Sequence, residues 1–268
     1  MAKKGQKVLS LKPVGDLATF LREVECVVES WSPTRDFYPW FRGQGCGDDR
    51  WPLVPKLYRP EFQKLDEDDF RKEFQLRAWP YLLGTAWEPN SKWEWYFLMQ
   101  HHGLPTRLLD WTESALVALY FALNDQEKKA NPAVWAFNPW ELNRKLARKG
   151  DEILNPREKK IQRYLPEPYS RQALPKHPIA IQPPLKSNRI AAQQGTFTLH
   201  GSSFKALDHY RLLKPHCVKI EILRSKVPLM KEQLLVAGIA ETTVFPELTG
   251  LCRELLDFYK YEHERPSR

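Results

Sequence analysis

Residues 100–122 read QHHGLPTRLLDWTESALVALYFA. The second half, continued to Asp125, is apolar nearly all round at helical length, so the helix is buried. Just before it, LPTRLLDWT (104–112) reads as a turn and a short strand. Asp110 and Thr112 stand where strand passes into helix. Thr112 suits the N-cap and Glu113 the first turn. Ala115, Ala118 and Ala122 are close-packing positions. Upstream, SKWEWYFLMQHHG (91–103) is another helix, stopped by Gly103 at C′. His101 and His102 lack the HExxH spacing of a metal site, and His102 is a candidate pocket residue. Arg107 and Asp110 either pair with each other, or Asp110 holds Arg42.

Outward from this stretch, residues 14–31 have a helical apolar rhythm. YPWFRGQGCGDD (38–49) contains a short strand whose Tyr38, Trp40 and Arg42 share one face. A guanidinium among aromatics needs partners: an internal carboxylate, or a phosphate or carboxylate ligand. Gly43 and Gly45 let the backbone turn sharply or approach a ligand closely. Residues 57–82 begin with a turn at Pro60 and continue as a helix. PAVWAFNP (132–139) reads as a buried strand. SNRIAAQQGTFTLHG (187–201) and HCVKIEILR (216–224) are strand-like, and helices follow over 224–239 and 245–262. Alternation puts Gln194, Thr196, Thr198 and His200 on one face, either open to solvent or flooring a cleft. Helices first, short strands interspersed and helices last predict an α+β fold with a single sheet flanked by helices.

The chain is expected to be one domain over 1–268, with a helical lead-in (1–36) and a basic, Pro-rich insertion or lid (140–187). Residues 144–163 hold eight basic and three acidic side chains, and 165–185 are proline-rich. That segment either contacts backbone phosphates or is a solvated helix and loop. The net charge of +8 favours anionic partners. The longest apolar run, 115–123, is too short to cross a bilayer, and the start lacks a secretory h-region. Four cysteines lie far apart without CxxC, which argues against zinc knuckles and a disulfide scaffold and for a reducing cytoplasm. Neither GxxxxGK[ST], GxGxxG nor GxSxG occurs, which weakens kinase and simple hydrolase readings.

WFRGQ (40–44), HHGLPTRLLDWTESALVALYFA (101–122) and AAQQGTFTLHG (191–201) resemble the FRG domain, named for its Phe-Arg-Gly motif and found mainly in bacteria and phages. The resemblance covers residues 37–124 and returns near 188–201. These segments are also distantly similar to ADP-ribosyltransferases of the arginine–serine–glutamate type. There an aromatic-Arg-Gly strand comes first, then a hydroxyl-bearing strand feeding an alanine-rich helix, then a strand with the catalytic glutamate. Phe41-Arg42-Gly43 looks like the first element, and Asp110-Trp111-Thr112 running to Phe121-Ala122 like the second. The third falls near Gln193-Gln194-Gly195, where this chain has glutamines instead of the glutamate. Asp110, Glu221 or Glu247 could supply that carboxylate.

The resemblance implies an ADP-ribosyltransferase-like fold and NAD as substrate. The catalytic set it implies is Arg42, Asp110 and Gln194. The set holding NAD is Arg42, Gly43, Gln44, His102, Thr106, Arg107, Thr112, Arg189 and Gln193, with no metal. The expected cleft is lined by Arg42, Thr106, Arg107, Asp110, Arg189 and Gln194. The acceptor would be a macromolecule, DNA or RNA being one candidate through residues 144–163. A toxin or phage-defence setting would bring a neutralising partner protein, and no membrane. Two other classes stand beside this one: a non-catalytic module binding nucleic acid or protein, and a metal-dependent nuclease using Asp48, Asp49 and Asp110.

Overall fold

The computed structural model describes residues 12–31, 38–48, 51–84, 88–124, 130–165, 174–183 and 187–264. The chain runs through α1 (Leu17–Trp31), β1 (Trp40–Gln44), a 3-10 turn (Lys56–Tyr58), α2 (Glu67–Leu82), α3 (Lys92–His101), β2 (Leu108–Thr112), α4 (Ala115–Asn124) and β3 (Ala133–Phe137). There follow α5 (Pro139–Glu141), a π-helical turn (Leu142–Ala147), a 3-10 stretch (Lys159–Tyr164), β4 (Ile179–Ile181), α6 (Asn188–Ala192) and β5 (Gly195–Leu199). The chain continues as β6 (Cys217–Glu221), α7 (Val227–Val236), α8 (Glu241–Val244) and α9 (Leu248–Glu264). The strands form a six-stranded sheet in the order β4-β5-β2-β1-β3-β6, every pairing antiparallel. The expected α+β class, a single sheet flanked by helices, holds, and the sheet is open.

Alternation divides the apolar side chains between two faces. Trp40, Leu109, Trp111, Phe137, Ala180 and Cys217 point to one face and share one core cluster with Leu207 and Leu213. The opposite face carries two clusters. On the β1-β3-β6 half, Phe41, Val134, Ala136 and Ile220 pack with α1, α4 and α7. On the β4-β5-β2 half, Ile179, Ile181, Phe197, Leu199 and Leu108 pack with α3. Asp110 faces this same side, between the two clusters, which is why it is the one exposed residue of β2.

Gly43 explains how α4 seats on the sheet. A Cβ there would lie 2.0 Å from the Ala118 carbonyl oxygen and 2.5 Å from the Ala122 nitrogen. Strand and helix backbones therefore touch, and Ala118 and Ala122 are fully buried at the contact. The glycine admits the helix at this contact.

Two local expectations change. Residues 188–192 are helical, capped by the Ser187 hydroxyl on the Ile190 N–H, and only Gly195 onward is strand. Gln194 turns between the two with φ of 46°. Ser114, two residues later than expected, caps α4 by accepting from the Val117 N–H. Thr112 instead ends β2, and its hydroxyl donates to the Gln193 carbonyl. Among the described residues of the 140–187 segment, β4 is an edge strand, and Leu154, Ile161, Tyr164 and Leu165 enter the core. Its proline-rich positions 166–173 and 184–186 lie outside the described residues, as do residues 1–11 and 32–37 of the lead-in. Among the described residues, no helix is long and apolar enough to cross a membrane.

Of the polar row, Thr196, Thr198 and His200 are buried, neither open to solvent nor a cleft floor, while Gln194 is exposed. Thr198 accepts from the Trp111 indole N–H at 3.1 Å. His200 is enclosed, and burial, helped by Arg107, pushes its pKa down to about 3. An unfolded chain takes that proton near pH 6.5. Between those values the unfolded state binds more protons, so stability rises with pH and is lost as pH falls. We expect this one group to cost about 2 kcal/mol of unfolding free energy between pH 7 and pH 5. Urea titrations at both pH values check it; in His200→Asn, which has no proton to gain, the loss should shrink by that amount.

Candidate functional site

Strands β1 and β2 are neighbours that barely pair. β1 is bonded to β3 along its whole length, and β2 likewise to β5. Between β1 and β2, among the described residues, only Phe41 and Thr112 are in register. Beyond that pair the strands part, and Arg42 Nη1 donates to the Asp110 backbone carbonyl at 2.7 Å. A side chain thus makes a link that a sheet ladder would otherwise make. The Asp110 carboxylate lies 3.8 Å from the same guanidinium, with side-chain exposures of 17% for Arg42 and 58% for Asp110.

A cleft of about 950 Å³ opens here. Its floor includes Phe41, Arg42, Gly43 and the β2 residues from Leu108 to Thr112. Its walls bring Lys56 and Arg59, Gln100 and His101, Tyr120 and Phe121, Arg189 and Gln193, and Glu241, Phe245, Arg253, Asp257 and Lys260. Six of these side chains are cationic and three carboxylate, so the cleft favours anions.

Three arrangements order its groups. Gln100 donates to Asp110 Oδ1 at 2.9 Å and accepts from the Thr106 hydroxyl, which fixes the carboxylate toward the open side. Tyr120 donates its hydroxyl to Glu241, which also meets Arg253 at 3.3 Å. Burial first, and Glu241 next, hold the Tyr120 phenol well above the usual tyrosine range. Burial, then Arg189 and His102, push His101 down to about 4, so it enters the cleft as a neutral ring.

The predicted residues separate. Arg42, Gly43, Asp110, Thr112, Arg189 and Gln193 line the cleft. Gln194 does not; its backbone turns away and its carbonyl accepts from the Glu113 N–H. Gln44 is a buried brace, donating to the Trp51 carbonyl and accepting from the Trp135 indole. Thr106 does not line the cleft; its hydroxyl donates to Gln100, which does. His102 caps α3 and donates its backbone N–H, while its neighbour His101 faces the cleft.

Arg107 departs furthest from the expected cleft. It is 2% exposed and pairs with Glu67 at 2.6 Å, not with Asp110. It also donates to the carbonyls of His200 and Tyr164. Glu67 in turn accepts from the Tyr96 hydroxyl, which itself accepts from the Arg107 N–H. This is a knot joining α2, α3, β2 and the end of β5.

Among the alternative carboxylates, Glu221 lines a separate, smaller hollow with Asp48 and Lys219. Glu247 is close enough to act on the charge of His101. Asp49 lies outside the described residues. Asp48 and Asp110 line different hollows, so they do not form one metal centre. Among the described residues, no group of three or more His, Cys, Asp or Glu could hold a metal ion. Arg144, Lys145 and Lys160 of the basic segment pair with Glu141, Asp151 and Glu152.

Lys56, Arg59, Tyr120, Glu241 and Phe245 escaped the sequence reading. For the first two no local pattern was present: the 3-10 turn spans Lys56–Tyr58, and Arg59 follows it in extended backbone.

No curated protein and no solved structure matches the chain. Residues 38–131, which hold β1, β2 and α4 and so the floor of this cleft, match the family model of the FRG domain.

Proposed function

We propose that the cleft binds NAD as a substrate and that the chain transfers ADP-ribose to a macromolecule. The observation that carries this reading is Arg42, held where two neighbouring strands part, with a carboxylate 3.8 Å away on the open side. A guanidinium fork matches the oxygens of a pyrophosphate bidentately. The cleft volume of about 950 Å³ suits a dinucleotide, since ligand pockets measure about 300–1,000 Å³. Phe121 and Phe245 add apolar wall for the rings.

The chemistry then needs negative charge near the ribose. The bond between ribose C1 and the nicotinamide nitrogen breaks, and nicotinamide leaves with the bonding pair. The positive charge that develops on the ribose is stabilised by the Asp110 carboxylate, which Gln100 orients. An oxygen or nitrogen of the acceptor bonds C1, and its proton is released to water. Asp110 takes the place of the glutamate that the distant resemblance implies, and Gln193 offers an amide at the cleft wall.

Asp110→Asn tests the assignment, because it keeps the shape and removes the charge. Nicotinamide release, followed by mass spectrometry with cell lysate as the source of acceptor, should fall about 100-fold or more. The affinity for NAD should change little. Release at the wild-type rate would remove Asp110 from the mechanism.

A further inference from the structure

We infer that the acceptor drawn to this cleft is single-stranded nucleic acid. The inference rests on the proposed chemistry for the role of acceptor, and on the cleft's own cations for the binding. Lys56, Arg59, Arg189 and Lys260 all line the cleft, and among the described residues none has a carboxylate within 4.0 Å. They come from three elements that only folding brings together: the 3-10 turn with its following residue, α6 and α9. Unneutralised charges converging on a concave wall repel one another, and an anion relieves that repulsion.

One dinucleotide does not use them up. Its pyrophosphate already has Arg42, and its nicotinamide ring is itself cationic. A nucleic-acid strand brings one negative charge per nucleotide and so meets the surplus. Two of the cations also lie on aromatic rings. The Arg189 guanidinium carbon is 4.7 Å from the Phe245 ring centroid, and Lys56 Nζ is 5.3 Å from that of Phe62. Guanidinium planes and aromatic rings are the surfaces on which unpaired bases stack. A duplex keeps its bases paired and stacked within itself, so it does not offer the faces that such surfaces take. The basic segment 144–163 fits less well: it does not line this cleft, and three of its cations are paired.

The test is fluorescence anisotropy of a short labelled oligothymidylate and its RNA counterpart, across a salt series and without NAD. Wild type should bind with affinity that falls steeply as salt rises. Arg59→Ala/Arg189→Ala/Lys260→Ala should weaken binding at least about tenfold and flatten the log–log salt slope by about 2, at about 0.7 per lost phosphate contact. Arg59→Ala/Lys260→Ala, whose two side chains make no hydrogen bond among the described residues, gives a smaller loss of the same kind without threatening the fold. Arg157→Ala/Lys159→Ala/Arg163→Ala, in the basic segment, should bind within about twofold of wild type. Wild-type affinity in both cleft variants, or no binding by wild type at low salt, would overturn the inference. A loss confined to the basic-segment variant would overturn it as well. Because these measurements omit NAD, they decide the inference whether or not nicotinamide is released. With labelled NAD added, label on the oligonucleotide supports the acceptor role. Label confined to protein overturns that role and leaves the NAD reading standing.

Discussion

Gly43→Ala should leave little folded protein. The added methyl carbon would sit 2.0 Å from the Ala118 carbonyl oxygen and 2.5 Å from the Ala122 nitrogen. Both atoms belong to helix backbone, so no rotamer change makes room. Either α4 lifts from β1 or β1 shifts in the sheet, and each opens the cluster that joins Phe41, Val117, Val134 and Ile220. The cost should exceed the about 1–3 kcal/mol usual for overpacking, against a total stability of about 5–15 kcal/mol. Shrinking the partner side chains with Ala118→Gly should not rescue it, because the clash does not involve them. Urea unfolding of the single and double variants measures this; full rescue by Ala118→Gly would show that backbone contact is not what excludes a side chain at residue 43.

The next largest effect belongs to Glu67→Ala. Arg107 is 2% exposed and keeps its charge wherever it is buried, so Glu67 is its counter-charge. Burial works against the Arg107 cation, but Tyr96 and Glu67 outweigh it and hold its pKa above the ordinary arginine value. Removing one partner of a buried pair costs about 3–5 kcal/mol. Adding Arg107→Met should recover only part of that loss, because the carbonyls of Tyr164 and His200 then lose their donor. The denaturant midpoint of each variant is the readout. A loss under about 1 kcal/mol in Glu67→Ala would mean that water reaches Arg107.

The strand and helix around Asp110 were legible because short-range patterns settle them. The apolar run Ala115–Leu123 reads as a buried helix, and Gly103 suits the positive φ that ends α3. Ala118 and Ala122 followed from size, and Gly43 supplied the partner they needed. Arg107 was misplaced because its partner stands 40 residues earlier, in a helix whose packing no local spacing reveals. Gln194 falls outside the cleft because it turns between α6 and β5 with a φ of 46°, whereas Gln193 lines the cleft as expected. The cleft's outer wall was invisible for a similar reason: Glu241, Arg253 and Lys260 reach it from the far end of the chain. Alternation correctly grouped Thr196, Thr198 and His200 on one face, but only the cover provided by residues 207–213 shows that this face is dry.

Under the proposed function, Arg42 holds a dinucleotide where β1 and β2 part. Calorimetric titration of NAD into wild type and Arg42→Ala tests it most directly, with unfolding temperatures recorded for both. We expect saturable binding to wild type and at least about tenfold weaker binding to the variant, the loss of one charge-assisted contact being worth about 1.5–3 kcal/mol. Equal affinity in the two folded proteins, or no binding to wild type, would contradict the claim and leave Arg42 as a tie between two strands.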